Sequence, residues 1–250
     1  MARTIKHEMT YNAEHNTVAA NDIIRGKQSM TLQTARLIRL LVTQIAEKDK
    51  DLKTYTCKIT DLAKFMNIPR NNLYRDVFKL CECALDSKVY IGTGNSKHPW
   101  AMFHWISMAS YDGKGNITLR LSDEIKPYVL ELDKWFTQYK LKNILEFNSY
   151  YAIRLYEIIK CEDGETGHSQ SEFEFEVEEL RQYFDCENKY KLFADFKRKV
   201  IEVAVREINE KSDIWLKPTY KKWGRAYTRV SFEIHENFKR FAKLRETRDT

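Results

Sequence analysis

Two tandem α+β units, related as an internal repeat, are what this sequence predicts. Three observations carry the prediction. The order helix, short helix, longer helix, short β-run and β-hairpin occurs twice within 250 residues. Ile59-Thr-Asp-Leu62-Ala-Lys-Phe65-Met66 and Val177-Glu-Glu-Leu180-Arg-Gln-Tyr183-Phe184 both place apolar residues at i, i+3, i+6 and i+7, one side of a two-turn helix. Hydrophobic residues make up 43% of the chain, with only 8 Gly and 4 Pro, which suits packed domains and not a disordered chain.

Each element has a local reason. In the first half, Ile38, Leu41, Val42 and Ile45 share one helical face behind a Ser29 or Thr31 cap. In the second, Ile144, Phe147, Tyr151, Leu155 and Ile158 form the matching stripe, ending near Gly164. Pro69 stops the first short helix. A longer amphipathic helix over about 71–85 buries Leu73, Val77, Leu80 and Ala84; its counterpart over about 190–209 buries Leu192, Phe196, Val200, Val203 and Ala204. Short β-runs follow at 88–91 and 213–216. Hairpins turn at Asp112-Gly-Lys-Gly115 and Trp223-Gly-Arg225. The returning strands, 117–121 and 230–234, lead into helix starts at Ile125-Lys-Pro-Tyr128 and Phe238-Lys-Arg-Phe241. This is the order of a winged helix-turn-helix, in which the longer helix enters the major groove and the hairpin is the wing. The expected fold class is therefore α+β with two tandem winged-helix domains, over residues 1–135 and 136–250.

Charge adds a direction. The formal net charge is +6. Residues 161–179 carry eight acids and no Lys or Arg, whereas 189–229 carry twelve bases and five acids. A basic cluster of this kind neutralises phosphates and releases counterions. On the second long helix, Lys191, Asp195, Arg198, Glu202 and Asn209 lie opposite the core stripe. Lys189, Lys191 and Arg198 therefore crowd its exposed N-terminal half. Arg198 is suited to grip guanine with both guanidinium arms. Lys197, Lys199 and Arg206 flank it and suit phosphates. Pairing of Lys191 with Asp195, and of Arg198 with Glu202, is the bland alternative. The wing contributes Lys221, Lys222, Arg225 and Arg229 beside Trp223. The first unit offers Arg70, Asn71, Asn72 and Arg75 at its helix start and Lys114 on its wing, diluted by Asp76 and Glu82, so it reads as the weaker DNA binder and as a dimerisation unit. Glu172, Glu174 and Glu176 alternate like a strand exposed on one side.

Other chemistry is unsupported. No apolar run reaches the length of a membrane span and the first residues lack a signal-peptide core, so a soluble, intracellular protein is expected. The five cysteines form no C-x-x-C pair. The histidines are scattered, with no His-x-His or phosphate-loop motif. No catalytic residue, metal site or cofactor is expected.

Three stretches carry a family resemblance: Asn21-Asp-Ile-Ile24, Ser149-Tyr-Tyr-Ala-Ile-Arg-Leu-Tyr-Glu-Ile158, and Phe196-Lys-Arg-Lys-Val200 with Glu207-Ile-Asn-Glu-Lys-Ser-Asp-Ile214. Over about 18–242 the chain resembles the iteron-binding replication initiators, the twin winged-helix Rep proteins of theta-replicating bacterial plasmids. The resemblance implies monomers that bind repeated double-stranded origin sites, open nearby AT-rich DNA, and recruit the host replication initiator and replicative helicase. It also implies homodimers, joined through the first unit, that repress their own gene at an operator inverted repeat. It puts the dominant sequence contacts on the second recognition helix and its wing. A winged-helix repressor without initiation activity, a rolling-circle nicking enzyme and a protein-binding scaffold are the competing readings.

Overall fold

The computed structural model describes residues 5–92, 99–132 and 135–237. The helix start expected at 238–241 lies outside the described residues. The chain forms two compact units, Met1–Leu141 and Lys142–Thr250.

The first unit runs β1 (Lys6–Glu8), β2 (Asn16–Ala20), α1 (Asn21–Arg25), β3 (Lys27–Ser29), α2 (Leu32–Val42), β4 (Thr54–Lys58), α3 (Ile59–Phe65), α4 (Leu73–Asp86), β5 (Lys88–Ile91), β6 (Ala101–His104), β7 (Ile106–Tyr111), β8 (Asn116–Leu121), α5 (Lys126–Val129) and β9 (Phe136–Lys140). Thr31 is the cap of α2: its hydroxyl accepts from the Thr34 amide at 3.1 Å, while Ser29 closes β3. The helix ends at Val42, so Ile45 falls in the following turn. The wing strands β7 and β8 belong to a sheet of order β1-β4-β8-β7. Asp112 ties the tip, its carboxylate accepting from the Asn116 side-chain amide at 2.7 Å and from the Lys114 and Asn116 backbone amides at 2.8 and 3.0 Å. These bonds, led by the Asn116 side chain, hold its carboxyl down to about 2. Strand β9 pairs antiparallel with β2, from Asn16↔Lys140 to Ala20↔Phe136. That pairing carries the first unit beyond the residue-135 boundary expected from the sequence.

The second unit holds α6 (Leu141–Leu145), at whose first residue the division falls, then α7 (Tyr150–Glu165), β10 (Glu172–Glu176), α8 (Val177–Tyr183), α9 (Phe193–Phe196), α10 (Glu202–Lys211), β11 (Ile214–Trp223) and β12 (Ala226–Glu236). The stripe from Ile144 to Ile158 is thus two helices. Ser149 restarts the second, its hydroxyl accepting from the Tyr151 amide at 3.1 Å.

The long helix expected over 190–209 starts later and is interrupted. Tyr190 has φ 52°, a left-handed backbone outside the α-helical region, and the helix begins at Phe193. Leu192, expected in the core, is 70% exposed just before it. Between α9 and α10, Lys197–Ile201 form a π-turn. The helix stays on the core through it: Phe196 before the turn, Val200 and Ile201 within it, and Ala204, Val205 and Ile208 after it are all buried.

The resemblance-bearing residues of this unit are mostly struts. Arg154 is fully buried, pairs with Glu157 at 3.1 Å and donates to the Tyr183 carbonyl at 3.2 Å. The Tyr156 hydroxyl donates to Asp213 at 2.8 Å and receives the Asn143 amide at 2.9 Å. Glu207 accepts from the Asn148 and Ser149 amides at the start of α7. Asn209, expected on the exposed face, instead bonds both backbone groups of Leu216, accepting at 2.7 Å and donating at 2.9 Å. These contacts fix α10 against α7 and against the root of the wing.

Candidate nucleic-acid interface

In the second unit the basic surface is built outward from α8. Arg181, itself buried, lays its guanidinium 4.4 Å over the Phe196 ring. It donates to the carbonyls of Lys189, Tyr190 and Lys191 at 3.0, 3.1 and 3.4 Å. One cation thereby pins the loop that enters the recognition helix, and Lys189 and Lys191 project from that loop into solvent. On the next turns Asp195 lies between two bases, Arg198 at 3.3 Å and Lys199 at 3.0 Å. Their proximity, that of Lys199 first, holds the Asp195 carboxyl below the usual range. One carboxylate facing two cations leaves a net positive charge at the centre of the face. The pairs weighed from the sequence, Lys191 with Asp195 and Arg198 with Glu202, are not the ones formed; Glu202 takes Lys197 at 3.6 Å.

The hairpin divides its bases between two faces, as strand alternation requires. Lys221 and Arg229 are register partners. Both reach the exposed carboxylates of β10: Lys221 bonds Glu174, and Arg229 bonds Glu174 at 3.0 Å and Glu176 at 2.8 Å. The Lys221 bond, first among its causes, lowers the Glu174 carboxyl below its ordinary value. The acidic alternation is therefore the counter-charge for the back of the wing. On the opposite face Tyr220 and Tyr227 meet Phe193 of α9, and the Lys222 ammonium sits 4.6 Å over the Tyr227 ring. Gly224 takes φ 61° in a two-residue turn, with Trp223 84% exposed beside Arg225. Among the described residues Lys189, Lys191, Arg206, Lys222 and Arg225 enter no ion pair.

The first unit differs. Arg70, Asn71, Asn72, Arg75 and Lys114 are all exposed. Asn72 occupies the cap position of α4 in a left-handed conformation (φ 70°), and its side chain makes no cap bond. Arg75 is neutralised by Asp76 at 3.0 Å. Between α4 and the β7–β8 wing lies an apolar groove of about 670 Å³, lined by Tyr74, Phe78, Cys81, Leu85 and Tyr111.

Fourteen of the fifteen side chains singled out from the sequence are exposed, Lys197 being half-buried. Nine are in the second unit: Lys189, Lys191, Arg198, Lys199 and Arg206 on the helix and its entrance, and Lys221, Lys222, Arg225 and Arg229 on the wing. Sequence reasoning missed Arg181, Phe193, Tyr220 and Tyr227. Strand alternation holds a signal for Tyr220, which stands on the face opposite Lys221; nothing local marks Arg181. Among the described residues several buried or half-buried tyrosines and cysteines are held protonated. Burial raises the Tyr151 and Tyr220 phenols and pushes the Cys186 thiol up to about 12 and the Cys81 thiol to about 11. No helix among the described residues is long and apolar enough to cross a membrane.

A short helix, a longer helix and a β-hairpin, repeated once with basic side chains on the second copy, define a tandem winged-helix protein. Residues 16–160 match the family model described as "Initiator Replication protein, WH1", and 176–234 match "Initiator Rep protein, WH2". The chain belongs to this initiator replication protein family. It is 25% identical over 219 residues to a replication initiation protein of Escherichia coli, covering 86% of this chain and 68% of that protein. Its fold also matches the crystal structure of the Pi initiator protein in complex with iteron DNA, with TM-score 0.69 and 21% identity, over 89% of this chain and 98% of that one.

Proposed function

We propose that this protein initiates plasmid replication by binding repeated double-stranded origin sites, chiefly through its second winged helix. The carrying observation is the cluster of exposed bases on one helix–wing face, where a single carboxylate opposes Arg198 and Lys199 and the wing bases Lys222 and Arg225 are unpaired. Such a face suits a duplex: a helix start in the major groove and a hairpin along the backbone. Arg198 is the base reader. Lys189, Lys191, Lys199, Lys222, Arg225 and, further along the helix, Arg206 take phosphates. Lys221 and Arg229, held by Glu174 and Glu176, add to the field more than to direct contact. Arg70, Asn71, Asn72, Arg75 and Lys114 supply secondary contacts in the first unit, which is also the dimerisation unit of an autorepressing form. The fold match to a protein crystallised on iteron DNA supports the reading. So does family membership, which extends the proposal to recruitment of the host initiator and replicative helicase in the bacterial cytoplasm.

Hydroxyl-radical footprinting on the origin of the protein's own plasmid tests the DNA reading. Regularly spaced protections on tandem repeats are expected; uniform, sequence-independent protection overturns it. Replication of an origin fragment with the protein supplied in trans separates an initiator from a repressor. A relaxed or covalently linked product on supercoiled origin DNA with divalent metal would identify a nicking enzyme instead.

A further inference from the structure

We infer that Phe193, Tyr220 and Tyr227 form a clip that sets the wing of the second unit against its recognition helix, so that the two meet DNA as one preformed surface. Phe193 and Tyr227 are positioning residues in this scheme. The inference rests on the reading of this unit as the DNA-binding face and names what holds that face in shape.

The hairpin needs such a device. Strand β10 pairs with β12 only as far as Glu176↔Arg229. Beyond that point, residues 222–228 are a two-stranded ribbon, and the β11 register slips between Lys221 and Lys222. An isolated two-stranded ribbon is marginal in water. The rings supply the missing third layer. Tyr227 stacks on Phe193 with centroids 4.4 Å apart and planes at 17°, and Tyr220 meets the same ring edge-on at 5.8 Å. Lys197 sits 4.4 Å over the Tyr220 ring and Lys222 4.6 Å over that of Tyr227. A base from the helix and a base from the wing are thus held on the same cluster. The Tyr220 hydroxyl is buried with no hydrogen-bond partner among the described residues, so the ring, and not its hydroxyl, does the holding.

The first unit repeats the contact. Tyr74 precedes the core residue Val77 by three positions, as Phe193 precedes Phe196. Tyr111 pairs with Ile117 across the first hairpin, as Tyr220 pairs with Val230 across the second. Tyr74 and Tyr111 meet edge-on at 5.7 Å. The same helix-to-wing contact at matching positions of both copies is not what chance ring packing would leave. Only the second copy adds the stacked third ring and the two cations.

The test uses the full chain and two readouts. Hydrogen exchange on the free protein is followed for the amides of 222–228. Footprinting on origin repeats then separates wing from helix protection. Tyr227 is partly exposed, so Tyr227→Ala leaves the core intact. It is expected to speed exchange in 222–228 about tenfold or more with α10 unchanged. It should also erase the wing footprint while sparing the helix footprint, and weaken binding about tenfold through the cost of ordering a loose arm. Tyr227→Phe and Tyr220→Phe should retain wild-type exchange and protection. Unchanged exchange and a full wing footprint in Tyr227→Ala would overturn the clip, as would equal loss in Tyr227→Phe. If the wild-type protein shows no footprint, the DNA reading fails while the exchange result still judges the clip.

Discussion

In the first unit Tyr74 and Tyr111 touch across the junction of α4 and the β7–β8 wing, but beside them an apolar groove, lined also by Phe78, stays open. In the second unit the ring of Phe193 occupies the equivalent junction, wedged between two tyrosines of the wing. Where the second helix carries Lys197, one residue past its first core position, the first carries Phe78, 68% exposed. The charges differ in the same sense. Arg75 has a carboxylate of its own, whereas Arg198 shares Asp195 with Lys199. One architecture thus yields a closed basic face in one copy and an open apolar groove in the other. A handful of side chains, not the backbone plan, makes that difference.

The comparison is most severely tested at the core of the second unit. Glu157→Ala leaves Arg154 buried without its carboxylate and should cost that unit about 3–5 kcal/mol. Urea unfolding followed separately in each unit by hydrogen exchange should show the second unit's midpoint falling and the first unit's held. A joint shift would mean that the two are not separately stabilised.

Next in size is base reading. Arg198→Ala should cost about 1–3 kcal/mol on the cognate repeat and relax one base position. Arg75→Ala should cost under about 1 kcal/mol, because an exposed pair already satisfies it. Titrations on cognate and scrambled repeats check both. Equal losses would erase the contrast between the units.

The two faces of the wing separate on salt dependence. Lys222→Ala should reduce the log-log salt slope by about 1, the value for one phosphate contact. Lys221→Ala should reduce it less, since Glu174 holds that ammonium. Glu174→Gln should steepen the slope by freeing Lys221 and one arm of Arg229. A flat response to Glu174→Gln would remove the acidic strand from any part in tuning the interface.

The smallest effect concerns the two hairpin tips. The Asp112 carboxyl is depressed to about 2, so its contribution is complete above the unfolded carboxylate value near ~3.9 and is lost as pH falls through about 2. The Lys114 and Asn116 amide shifts should therefore titrate near pH 2. The Gly224–Arg225 turn has no carboxylate within it and should stay flat over the same range. A midpoint near the ordinary aspartate value would show that the first tip is not ordered this way.

Much of this was legible from residue order. The short helices at Ile59 and Val177, the run at Lys88–Ile91 and both hairpin tips follow from periodicity and turn residues, which act within a few positions along the chain. Strand pairings made over long separations were not legible. Strand β9 reads as a linker until β2 is known to lie beside it, and β3 has only three residues to announce it. At the interface, charge position was legible and charge partnership was not. Arg229 looks like a free wing base until Glu174 and Glu176 are seen across the ladder, and Asn209 looks exposed until it is found bonding Leu216.

The sequence by itself determined the duplicated plan, the helix and wing that carry positive charge, and the surface exposure of every base proposed to meet DNA. These depend on local periodicity and on the cost of burying charge. Only the tertiary structure decided which bases are neutralised, where the second recognition helix begins, that a π-turn interrupts it, and that three rings tie wing to helix. Those outcomes depend on groups distant in sequence arriving at the same place, and side-chain spacing along one strand or helix does not encode that meeting.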